Sequence, residues 1–118
     1  MDNSAKSSYA IRRFEELVKE NLLVEVNRTE NRVVWDAADP YEMLLKDAST
    51  SLNRLVRVEN KKTLLLIGPS TRLMDAIRDQ GVMITGRDRD DNPQLPFGEC
   101  DCSDIDKIVD AFRSSVKK

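Results

Sequence analysis

The sequence predicts a small α/β (or α+β) domain: a mixed four-stranded sheet with packed helices, in the order α-β-β-α-β-α-β-α. Three observations lead there. Residues 62–86, KTLLLIGPSTRLMDAIRDQGVMITG, read as a strand, a tight turn, a helix and a second strand. Residues 22–27 and 32–37 are short apolar runs either side of a polar turn, the pattern of an antiparallel hairpin. Amphipathic helical patterns stand near both ends of the chain.

Taken in order, residues 1–6 are polar and expected to be disordered, as chain ends often are. A helix follows over residues 7–20. Ala10, Ile11, Phe14, Leu17 and Val18 share one face, and Arg12, Arg13, Glu15, Glu16 and Lys19 the other. In the hairpin Leu22, Val24 and Val26 share one face of an alternating run, and Val33, Val34 and Trp35 return after the turn Arg28-Thr29-Glu30-Asn31. The lone tryptophan, Trp35, is expected in the core.

Asp39 reads as a helix cap, Pro40 as its first residue and Glu42 as the far end of a capping box. Tyr41, Leu44, Leu45, Ala48, Leu52, Leu55 and Val56 continue an apolar stripe to about residue 58. Ser49, Thr50 and Ser51 weaken its middle, so one helix or two are expected, with a break near Asp47. Thr63 to Ile67 is an apolar run of the kind buried in a parallel sheet. Gly68 and Pro69 end it, Ser70 or Thr71 caps the next helix, and Leu73, Met74 and Ile77 form its stripe. Gly81 suits the left-handed position that closes this helix, and a right-handed crossover would lay Val82, Met83 and Ile84 parallel to the preceding strand. Residues 87–102 read as a long acidic loop. Ser103 then starts a last helix, with Ile105, Ile108, Val109, Phe112 and Val116 on one side.

With 118 residues, 40% of them hydrophobic and 34% charged, the chain is expected to be a single globular domain with its own core. It has no apolar run of membrane-spanning length and no apolar core near its start, so a cytoplasmic location (or nuclear, in a eukaryote) and no membrane partner are expected. A net charge of −2 gives no general attraction to nucleic acid. Histidine is absent, which removes Ser-His-Asp, Cys-His and histidine-metal chemistry from this chain.

Four stretches are candidate sites. Gly68, Ser70, Thr71 and Arg72 lie where a strand feeds a helix N-terminus, a natural place for a phosphate or other anion, although Pro69 removes one N–H. Asp88, Asp90, Asn92 and Glu99 fall at the first, third, fifth and twelfth places of a calcium loop resembling that of EF-hand proteins, with Pro93 where that family needs glycine. Calcium or magnesium is the cofactor this spacing admits; otherwise none is expected. Cys100 and Cys102 are too few for a zinc site, and their acidic neighbours disfavour a reactive thiolate. Arg54, Arg57, Lys61 and Lys62 form a basic stretch without interleaved aromatic residues.

The hairpin, the crossovers and the run LLLIGPSTRLMDAIRDQGV look similar to STAS domains, the anti-sigma-factor antagonist fold. The resemblance is architectural. In that family an Asp-Ser-Ser-Gly-Leu turn carries a regulatory phosphoserine. The nearest stretch here, Asp47-Ala48-Ser49-Thr50-Ser51-Leu52, lacks the glycine and the first serine.

The leading expectation is a non-catalytic regulatory module, adaptor or assembly subunit acting through a protein partner or as a homo-oligomer. A small phosphate- or nucleotide-binding protein using residues 68–72 is the alternative, with a divalent cation in the acidic loop. Weak nucleic-acid binding through residues 54–62 is third.

Overall fold

The computed structural model describes residues 3–47, 54–59, 63–86 and 97–117. Its elements are α1 (Asn3–Lys19), β1 (Leu23–Arg28), β2 (Arg32–Ala37), α2 (Glu42–Leu45), β3 (Val56–Glu59), β4 (Thr63–Ile67), α3 (Thr71–Asp79), β5 (Thr85–Gly86), β6 (Phe97–Asp101) and α4 (Ile105–Ser115). Short 3-10 turns precede α2 and α4. The mixture of helix and strand is the predicted class. The sheet is larger than predicted, with five strands of four or more residues and the two-residue β5, in the order β1-β2-β3-β4-β6-β5.

Every hydrogen-bonded strand pair is antiparallel, which corrects the expected mixed sheet. β4 and β5 do run the same way, as a crossover through α3 requires, but β6 lies between them. β4 looked like a parallel strand because Leu64, Leu65, Leu66 and Ile67 are all buried. A central antiparallel strand covered on both faces produces the same unbroken run. Among the features similar to STAS domains was a crossover between neighbouring strands; with β6 between β4 and β5, that feature is absent.

Two further expectations are corrected. Residues 56–59 are the strand β3, not the end of a helix. Val56 and Val58 point into the core and Arg57 and Glu59 are half-buried, the period of two that a strand imposes. Upstream, Asp39 makes no side-chain cap. Residues 39–41 are a 3-10 turn entered from Ala38, with Pro40 in its first turn, and α2 is a single turn of helix. Residues 48–53 lie outside the described residues, and with them most of the Asp47–Leu52 stretch. The predicted loop 87–102 also ends early, since residues 97–101 are β6 and Asp101 caps the turn that leads into α4 by accepting the Ser103 N–H at 2.9 Å.

The helices gather on one face of the sheet. Val33, Trp35, Ala37, Val56, Val58, Leu64, Leu66 and Cys100 meet Ala10, Phe14 and Leu17 of α1, Leu73 and Ile77 of α3, and Ile108, Val109 and Phe112 of α4. The Phe14 ring lies 4.9 Å from Trp35 and 5.7 Å edge-on from Phe112, so it joins sheet, α1 and α4. Losing such a side chain costs about 3–5 kcal/mol. Ion pairs fasten α4 near both its ends, Asp106 to Arg13 in the middle of α1 and Arg113 to Glu20 just beyond it, and the two helices run parallel. The Arg113 guanidinium, hydrogen-bonded to Glu20, holds that carboxyl below the usual range. Val34, Leu65 and Ile67 are buried on the opposite face, outside this cluster. No helix among the described residues is long and apolar enough to cross a membrane.

Candidate functional site

The sheet has two edges of unequal kind. β5 is two residues long, which by itself limits strand addition. β1 is six residues long, and among the described residues its strand neighbour is β2 alone. Local chemistry presents it. α1 ends in a Schellman motif, with Asn21 at φ 65°, its N–H on Val18 O, and the Leu22 N–H on Leu17 O, each at 3.0 Å. That left-handed residue reverses the chain, burying Leu22 and Leu23 and releasing Val24 outward.

A bulge between Glu25 and Asn27 then shifts the register against β2. The face expected to carry Leu22, Val24 and Val26 together is divided, with Leu22 buried and the two valines turned to solvent. Val24 and Val26 are each 46% exposed. Glu25 and Arg28 bind one another at 2.6 Å, and Arg28 also reaches Glu15 of α1. Beside the start of β1 is a shallow concavity of about 630 Å³, lined by Val18, Asn21, Leu23, Val24, Ala38, Asp39 and Pro40. Exposed valines along an open strand edge, next to a mainly apolar hollow, are what a partner strand with one anchoring side chain fits.

The anion candidate folds as a capped turn. Gly68 has φ 72°, which favours glycine. Ser70 caps α3, its Oγ accepting the Leu73 N–H at 3.1 Å while donating to Leu44 O at 2.6 Å. The Ser70 N–H is bound to Leu45 O at 2.9 Å, and the Asp47 N–H to Gly68 O at 2.9 Å. Chain segment 44–47 thus lies on the turn, and both polar groups of Ser70 that would greet an anion are engaged. Thr71 and Arg72 are exposed, with Arg72 donating to Lys117 O.

Of the cation candidate, Asp88, Asp90 and Asn92 lie outside the described residues. Glu99 lies in β6, opposite Leu65 and Thr85, in the wall of a cleft of about 290 Å³ with Asp101 and Asp104. Among the described residues no group of three or more acidic or cysteine side chains is arranged to hold a metal ion. Cys100 and Cys102 are buried, and burial, followed by Asp104, Cys102 and Glu99, pushes the Cys100 thiol up to about 12. Among the described residues the basic stretch does not lie on a helix. Arg57 lies in β3 with its guanidinium 3.1 Å from Glu59, and residues 61 and 62 lie outside the described residues.

One buried charge was missed by sequence reasoning. Lys46 is 4% exposed at its side chain, with Nζ 3.1 Å from Asp36 Oδ1 and 4.0 Å from Glu42. Its main chain bridges Pro69. Lys46 thereby ties segment 44–47 to β2 and to the turn that ends β4. An apolar stripe around a lysine would have been the signal, and Leu44-Leu45-Lys46 gives only part of one.

No family model, curated protein or solved structure matches the chain. The fold and the surface describe a helix-and-strand domain with an antiparallel sheet whose longer edge, β1, is open and partly apolar among the described residues.

Proposed function

We propose that this chain is a non-catalytic interaction module, acting through protein–protein contact at the β1 edge. One observation carries the reading: β1 is open along one side among the described residues, exposes Val24 and Val26, and borders a hollow of mixed, mainly apolar lining. Strand addition at such an edge supplies main-chain hydrogen bonds for affinity, while the hollow supplies selectivity. The bulge that follows Glu25 keeps the pairing short, and this guards the edge against indiscriminate aggregation. The absence of histidine from the sequence also supports a non-catalytic role.

Photo-crosslinking in the native cells tests it. A photoreactive residue at position 26 should trap a polypeptide, and the same probe at Asp79, exposed on α3, should not. Equal trapping at both positions, or none at position 26, would overturn the reading.

A further inference from the structure

We draw no further inference here: the strongest candidate, the cleft beside β5 and β6 that Glu99, Asp101 and Asp104 line, is a cluster of carboxylates, and nothing else among the described residues there points to a ligand.

Discussion

Replacing Lys46 by methionine should cost far more stability than its surface-like sequence context suggests. The ammonium lies 3.1 Å from Asp36 Oδ1, with the two side chains 4% and 14% exposed. At an effective dielectric of 20, that separation corresponds to about 5 kcal/mol of attraction. Desolvating both ions consumes most of it, so the intact pair is close to neutral against an apolar substitute. Lys46→Met removes the attraction and leaves the Asp36 carboxylate in place, with the Ala37 N–H at 2.8 Å as a remaining donor. The expected loss is about 3 kcal/mol, the low end for breaking a buried pair, because Asp36 keeps that donor and some solvent. In a domain of this size that is about 10 °C of melting temperature. Urea unfolding of Lys46→Met, Asp36→Asn and the double variant measures it, with an unchanged m-value as the control. The double variant should lose clearly less than the sum of the singles. A single-variant loss below about 0.5 kcal/mol, or strict additivity, would refute the claim that this pair ties α2 to the sheet.

Three further outcomes are expected. A Cβ on Gly98 would sit 2.7 Å from Ile84 Cγ2, so Gly98→Ala should destabilise by about 1–3 kcal/mol, and adding Ile84→Ala should recover part of the loss in a thermal-unfolding cycle. Ser70→Ala removes both the α3 cap and the bond to Leu44 O, and should cost about 1–2 kcal/mol by denaturant unfolding. The Cys100 thiol is raised by burial from 9.0 to about 12, so the native state holds its proton where the unfolded state has lost it. That contribution is complete below pH 9 and disappears as pH rises from 9 towards 12; a pH series of Cys100→Ala against parent should show the difference in stability narrowing over that window, and a constant difference would contradict it.

The hairpin, the Trp35 core and the α3 and α4 stripes were legible because each is local: period, turn residues and caps lie within one element. Ser70 capping α3 and the left-handed Gly81, at φ 84°, are of that kind. The order of strands was not legible. That β6 separates β4 from β5 is settled by residues more than ten positions away, and the acidic, proline-containing stretch before Phe97 concealed the short strand. β3 was lost differently. The sequence Val56-Arg57-Val58-Glu59 alternates as a strand should, but four residues are too few to outweigh the helical signal of Pro40, Glu42 and the leucines before it. At the candidate surface, Val24 and Val26 were visible as apolar and alternating. What turned them outward, an asparagine at positive φ and a bulge of one residue, leaves no trace in a period of two.

The most direct test of the β1 edge is residue-resolved amide exchange with and without the polypeptide trapped at position 26. The Leu23 and Glu25 N–H groups point away from β2 and should exchange quickly in the free protein, then slow markedly in the complex. The Val24 N–H, already directed at β2, should change little. Exchange at Leu23 and Glu25 that stays equally fast in the complex would contradict the account of β1 as the surface through which this protein acts.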